Sequence, residues 1–382
     1  MRAKEGGSVE LNLDHAVSYH YGKFPPKELD YGKLIIGIIK ATDAIARYDQ
    51  MLKNMHNSEI LLAPLRNQEA VISSRMEGTI STMDEILRYE ADHHEGDAGN
   101  VLNVRSEVIE TILYQRALKA AQKAMSDGYP LSQSLIKGIH QKLLSFGRGA
   151  TKSPGEFKSE QNYLADKNKK KILFIPVSPE KLQEGLDTLF NYMDKSEHPA
   201  LLKSAMTHIE FEALHPFKDG NGRIGRMLIT LMLWTSGTIS APHFYVSGYF
   251  EENKDLYIDT MRNVSAHGDW EAWCAFFIEA IEAQAIKNLQ IAESIRTLYE
   301  EMKMTFAEVL SSKWSMNALD FVFTNPVFRN NKFTSNAGIP PASAARFTRA
   351  LLDNNIIVTR EEASGRRPAL YSFEPLMNIV RV

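Results

Sequence analysis

Apolar residues recur along most of this chain at the three- and four-residue spacing of helices buried on one face. Leu34, Ile35, Ile38, Ile39 and Ile45 set the first such pattern. Ile60, Leu61, Leu65, Ala70, Ile72, Met76, Ile80, Met83, Ile86 and Leu87 extend it from Ser58 to Glu90, with a break expected near Gly78-Thr79. Helices are also predicted over 104–125, over 132–144 with Ser132 as N-cap, and over 179–192, 199–214, 254–262 and 270–298. The run Met227 to Trp234 is apolar on nearly every side, which predicts a buried helix.

Two stretches depart from this rule. Phe157-Lys158, Tyr163-Leu164 and Ile172 to Ile175 lie on either side of a polar turn, the pattern of a β-hairpin set among helices. From about Thr305 the elements become short. Helices are expected over 317–324, 334–338 and 341–352, followed by two strand-like runs, 356–358 and 369–373, around Gly365-Arg366-Arg367. Three helices and a β-hairpin describe a winged helix-turn-helix. The predicted class is mainly α.

With 382 residues, 44% of them hydrophobic, the chain has material for two or three domains. A net charge of −3 supplies no global attraction for nucleic acid, so any such partner needs a local basic face. Arg346, Arg349, Arg366 and Arg367 offer one within 305–382 and leave DNA and protein open as partners of that module. The single Cys274 excludes an internal disulfide and sits among Trp273, Phe276 and Phe277 as a small core residue. No apolar run reaches about 18 residues, so the expectation is a cytoplasmic protein with no membrane contact. His93-His94 and the lysines 167, 169, 170 and 171 read as solvated loops.

The chemistry concentrates in His215-Pro216-Phe217-Lys218-Asp219-Gly220-Asn221-Gly222-Arg223-Ile224-Gly225-Arg226, immediately ahead of that apolar run. Gly220, Asn221 and Gly222 at a helix start present backbone N–H groups with little obstruction, an anion nest suited to phosphate. Arg223 and Arg226, three residues apart, turn forked donors toward the same phosphate chain. Asp219 is a hard oxygen ligand for Mg²⁺ held jointly by substrate phosphates. His215 is a base for an attacking hydroxyl. Glu212 with His208 and His215 also imitates half of a di-iron motif, which would need partner carboxylates on other helices.

This loop resembles the signature of the Fic family, His-x-Phe-x-Asp/Glu-Gly-Asn-Gly-Arg-x-x-Arg, at every fixed position. The resemblance implies an N-terminal helical region over 1–125, a Fic catalytic core over 126–300 and a winged helix-turn-helix over 305–382. It further implies transfer of AMP from ATP to a Ser, Thr or Tyr hydroxyl of a target protein or of the chain itself. On that resemblance His215 is the base, Phe217 a loop anchor and Asp219 the Mg²⁺ ligand. Gly220, Asn221, Gly222, Arg223 and Arg226 hold the phosphates. The hairpin near 157–175 corresponds to the flap that registers the target segment, where Lys158 stands in place of a more usual arginine. Tyr249 and Tyr257 fall in the region of the nucleoside pocket wall. Ser73-x-x-x-Glu77-Gly78 resembles the family's inhibitory motif, which implies that Glu77 pairs with Arg226 and keeps ATP unproductive while Ser73 braces the helix.

Two other readings stay open at this level. One is removal of AMP from a modified protein with Glu77 orienting a water; the other is a DNA-binding regulator whose core senses nucleotide. A second copy of the chain is also admitted as a partner.

Overall fold

The computed structural model describes residues 16–54, 59–93, 104–166 and 171–382. After a short strand β1 (Val17–Ser18) come the helices α1 (Tyr31–Lys53), α2 (Glu59–Met76), α3 (Met83–Asp92), α4 (Ser106–Ser126) and α5 (Gln133–Leu143). Ser132 caps α5 by accepting the Leu135 N–H at 3.3 Å. Thr82 and Glu85 form a reciprocal capping box that starts α3 five residues beyond Glu77.

Strands β2 (Leu164–Ala165) and β3 (Ile172–Ile175) pair antiparallel, as the alternation around the polar turn predicts. β1 joins the other edge of β3 in parallel, with Val17 opposite Phe174, which no sequence pattern announces. Lys167, Lys169, Lys170 and His94 lie outside the described residues. The core then continues through α6 (Pro179–Lys195), α7 (Ala200–Leu214), α8 (Asn221–Thr235), α9 (Ser247–Glu252), α10 (Lys254–His267) and α11 (Trp270–Leu310). Every residue of α8 from Asn221 to Leu233 is buried, so the helix that the 215–226 segment, here the organising loop, leads into is the axis of the core. α7 packs beside it, α11 packs against α7, and α1 lies along α11.

α11 runs unbroken through Thr305, because Tyr299, Phe306 and Leu310 keep burying one face. Beyond it lie α12 (Ser315–Thr324), β4 (Val327–Arg329), α13 (Asn330–Asn336), α14 (Pro341–Asp353), β5 (Val358–Glu361), β6 (Leu370–Ser372) and α15 (Glu374–Val380). The three strands form one antiparallel sheet in the order β4-β6-β5. This C-terminal part is bound to α3 through charge. Arg329, almost wholly buried, donates to Asp92 at 2.6 Å and to Glu361 at 2.7 Å. Arg367 reaches Asp92 at 2.9 Å, Arg381 reaches Asp84 at 3.0 Å, and Lys332 donates to the Glu90 and His93 carbonyls. One of the four cations on which a DNA-facing reading rests is therefore paired, while Arg346, Arg349 and Arg366 are exposed. Among the described residues no helix is long and apolar enough to cross a membrane.

Candidate active site

The organising loop is held by its own carbonyls. α7 stops at Leu214, and His215 caps it in a left-handed conformation, φ 47°, which costs a residue with a Cβ about 1–2 kcal/mol. The next carbonyls are all taken. Lys158 Nζ donates to Leu214 O at 3.0 Å and Lys158 N to Pro216 O at 2.8 Å. Asn162 Nδ2 donates to His215 O at 3.1 Å and to Phe217 O at 3.0 Å, and Asn162 Oδ1 accepts from Lys158 Nζ at 2.8 Å. A cation at a helix C-terminus also meets the negative end of its dipole. Burial lowers the Lys158 ammonium to about 7. The lysine therefore belongs to the loop's frame.

Phe217 is fully buried and stacks on His140, with centroids 3.8 Å apart. His140 Nδ1 accepts the Gly155 N–H at 2.8 Å, so its Nε2–H donates to Asp219 O at 2.9 Å. Asn221 folds back onto the loop, accepting the Phe217 N–H and donating to Phe217 O, both at 2.8 Å. Its side chain is thereby committed to loop closure, and its backbone faces the nest.

At the start of α8, Gly220 takes φ 79°, a turn that glycine makes without strain. The first backbone bond of the helix runs from Ile224 N to Gly220 O, so the N–H groups of Asn221, Gly222 and Arg223 precede the ladder. Arg223 is 3% exposed, yet its Nε and Nη1 have no partner, and only Nη2 reaches Asp219 Oδ1, at 3.4 Å. A buried guanidinium with unsatisfied donors beside a helix N-terminus is a site for an anion. Asp219 Oδ1 also accepts the Gly220 N–H, and its side chain is 40% exposed. Among the described residues no group of three or more His, Cys, Asp or Glu could hold a metal. One accessible carboxylate next to a phosphate nest fits Mg²⁺ that arrives with a polyphosphate. His208 spends both ring nitrogens, on Gly225 O and the Tyr257 hydroxyl, which removes it from any di-iron set.

His215 is half-buried, and its Nδ1 lies 3.3 Å from Glu212 O. With Nδ1–H donating to that carbonyl, Nε2 is left as a proton acceptor. Burial and the nearby Lys158 charge lower its pKa to about 4, so the ring is neutral at pH 7. Glu212 shows the opposite shift: burial raises its carboxyl to about 8, and its Oε1 has no hydrogen-bond partner.

Arg226 closes the site from behind. It is 3% exposed, donating from Nε to Ser73 Oγ at 2.8 Å and from Nη2 to Ser73 O at 2.9 Å and Glu77 Oε1 at 2.7 Å. Burial pushes the Glu77 carboxyl up, and the Arg226 guanidinium more than offsets this, leaving it below the usual carboxylate range. Glu77 also lies over the nest, because a Cβ added at Gly222 would fall 2.2 Å from its Oε1. The end of α2 is fastened by Arg75 to Glu251, at 2.6 and 2.7 Å, and by Lys254 Nζ to Met76 O at 2.7 Å.

His215, Asp219, Gly220, Asn221, Gly222, Arg223, Arg226, Ser73 and Glu77 thus meet around one helix N-terminus. Tyr257 lies beside Arg226, whose charge acts on its hydroxyl. Tyr257 is buried against Phe250 and His208, and Tyr249 donates to Glu279 at 3.1 Å. Neither lines the apolar cleft of about 170 Å³ that adjoins the loop. Leu164, Leu173 and Phe174 of the hairpin wall that cleft on one side, with Ile209, Glu212, Ile258, Met261 and Ser265 opposite. The apolar alternation of the hairpin was the sequence signal for one of these walls. His140 and Asn162 left no signal, since they act on backbone atoms far away in sequence.

Residues 130–233 match the Fic/DOC family, and residues 36–123 match the Fic/DOC family N-terminal region. A probable protein adenylyltransferase of Aquifex aeolicus is 26% identical over 210 residues, 53% of this chain and 56% of that protein. The protein adenylyltransferase Fic of Nematostella vectensis is 28% identical over 148 residues, 38% of this chain and 31% of that protein. The matched stretch thus spans little more than half of the first relative and under a third of the second. In fold, the chain is similar to a Fic family protein from Desulfovibrio desulfuricans, with TM-score 0.57 and 17% identity over 91% of this chain and 98% of that one. Fic-1 of C. elegans gives TM-score 0.53 and 18% identity over 69% and 75%.

Proposed function

We propose, from the premise that this chain carries a Fic/DOC family domain, that it is a protein adenylyltransferase, autoinhibited by Glu77. It takes ATP and the hydroxyl of a Ser, Thr or Tyr on a target protein or on itself. The observation that carries the reading is Arg223, a buried guanidinium with unpartnered Nε and Nη1 at a helix N-terminus beside a neutral imidazole. The relatives named protein adenylyltransferases support the same activity.

In this reading His215 Nε2 takes the proton of the target hydroxyl while its oxygen attacks the α-phosphorus. The bond from that phosphorus to the β-phosphate bridging oxygen breaks, so pyrophosphate leaves and AMP stays on the target. The N–H groups at the start of α8 and the Arg223 fork hold the phosphates in line, a contribution of positioning and charge neutralisation. Asp219 would hold Mg²⁺, which supplies further neutralisation of phosphate charge when bound. The negative charge of bound ATP also raises the His215 pKa from its low value, toward that of an effective base. The apolar cleft beside Glu212 receives the base, and the hairpin aligns the target segment by backbone pairing.

Glu77 blocks this arrangement by occupying Arg226 and standing over Gly222, where the terminal phosphate would otherwise lie. The experiment is incubation with α-labelled ATP and Mg²⁺. Glu77→Gly should raise labelling of the chain or of added protein, and adding His215→Ala should abolish it. No label from the Glu77→Gly chain would overturn the reading.

A further inference from the structure

The cleft is apolar except at Glu212, Arg262 and Ser265, and Ser265 is not a free hydroxyl. Its Oγ lies 2.8 Å from His20 Nδ1, and His20 Nε2 lies 2.8 Å from Glu210 Oε2. Tyr19 Oη donates to the other oxygen of Glu210 at 2.6 Å. The His20 and Glu210 side chains are 0% and 1% exposed, and Trp270 packs edge-on to the imidazole at 5.0 Å. The arm that brings Tyr19 and His20 here is tied to the hairpin, since Tyr19 N donates to Ile175 O at 2.9 Å next to the β1–β3 pairing.

This buried relay fixes the direction of one hydrogen bond. A Glu210 carboxylate accepts only, so Nε2 of His20 is its donor, and the uncharged form of the ring then offers a lone pair at Nδ1. The Ser265 O–H is then spent on His20, and what the hydroxyl turns toward the cleft is its two lone pairs. An acceptor with no donor, at the wall of an apolar slot, favours a ring edge that carries an N–H and disfavours one that carries a carbonyl.

Resting on the transferase reading above, we infer that Ser265, set by His20 and Glu210, is the specificity residue for the base. It accepts from the exocyclic amino group of adenine and rejects the 6-oxo edge of guanine or hypoxanthine. His20 and Glu210 are positioning residues, which reach the nucleotide only through Ser265. The relay is a bond-polarity filter supplied by the N-terminal arm, outside the loop that handles the phosphates.

The test uses the full chain with Glu77→Gly, measuring equilibrium affinity for ATP and for inosine triphosphate at pH 8, above the ordinary histidine range of about 6.5. ATP should bind tighter than inosine triphosphate by about 3- to 10-fold, the worth of one neutral hydrogen bond. Ser265→Ala should bring the ratio close to one, mainly by weakening ATP, and Ser265→Thr, which keeps the hydroxyl, should retain it. His20→Ala should lower the ratio as well, an effect that simple loosening of the arm would not produce. A ratio that survives Ser265→Ala overturns this assignment alone. Absence of nucleotide binding in every variant overturns the transferase reading, and the assignment with it.

Discussion

Glu77 and Arg226 stand 149 positions apart in sequence and meet at 2.7 Å, with Ser73 holding the same guanidinium from the preceding turn of α2. An arginine so placed has a carboxylate where the proposed function puts a polyphosphate. Because the two occupants exclude each other, Glu77→Gly should raise AMP transfer by about 5- to 150-fold, the span of a 1–3 kcal/mol coupling. Ser73→Ala removes one neutral acceptor and should give a smaller gain of a few fold. Rates of label incorporation from α-labelled ATP check both.

At subsaturating ATP the rate should be insensitive to mild acid. The His215 pKa of the nucleotide-free chain lies at about 4, lowered by burial and Lys158, so the acid limb of kcat/KM, which reports the free protein, should start well below 6.5, and that of kcat should lie higher because bound ATP raises the same pKa. Stability behaves differently. His140 and His243, near 4, and His208, near 3, are held neutral in the fold, while in the unfolded chain they protonate near 6.5. The unfolded state therefore binds more protons as pH falls from 6.5 toward 4, and stability declines across that window by up to about 1.4 kcal/mol per pH unit for each buried ring. Above pH 7 these groups contribute no slope. Thermal denaturation between pH 4 and 8 reads this directly.

Glu212 should give a slope of the opposite sense. Its pKa, raised to about 8 by burial, means that the folded state retains a proton that the unfolded state loses near 4.5. Stability is thus lost as pH rises between those values, and Glu212→Gln removes the loss. The difference in melting temperature between variant and parent should grow in favour of Gln from pH 5 to pH 8.5. A difference that is constant with pH would contradict it.

Asn162 is the smallest test of the loop's frame. Asn162→Ala frees the His215 carbonyl and removes the Lys158 partner, at a cost of about 1–3 kcal/mol to stability. It should slow labelling in the Glu77→Gly background without a matching fall in ATP affinity, since the atoms it holds carry the base and not the nest. Denaturant titration and single-turnover labelling separate the two effects.

The organising loop was legible because its chemistry is contiguous: His215 through Arg226 lie within one loop and the first two turns of α8. Glu77 was reached only through a resemblance of motif, since no spacing along the chain ties it to Arg226. Lys158 was the ambiguous position. It is a lysine where the resemblance gives a forked arginine, and its buried ammonium serves the carbonyl of a helix end, a role set by the fold. Strand β1 has two residues, too few for alternation to register. In the same way, Arg329 and Arg367 count toward a basic face in sequence, because their acidic partner Asp92 on α3 is more than two hundred residues away.

Arg329 gives that last point a measurable form. Its guanidinium joins Asp92 of α3 to Glu361 of β5 and is buried, so Arg329→Ala should destabilise the chain by about 3 kcal/mol. Increased proteolytic cleavage between α11 and α12 in the variant would report loosening of the C-terminal elements from α3.

Cys274 makes opening of the core chemically visible. It is the chain's one thiol, completely buried on α11 with its sulfur 3.7 Å from Met206 of α7, and burial pushes it up to about 12. A thiol reagent can therefore modify the protein once, and only when α7 and α11 separate. The rate of that single modification is a built-in clock for opening of the core, against which a variant's change in chemistry can be told from a change in folding.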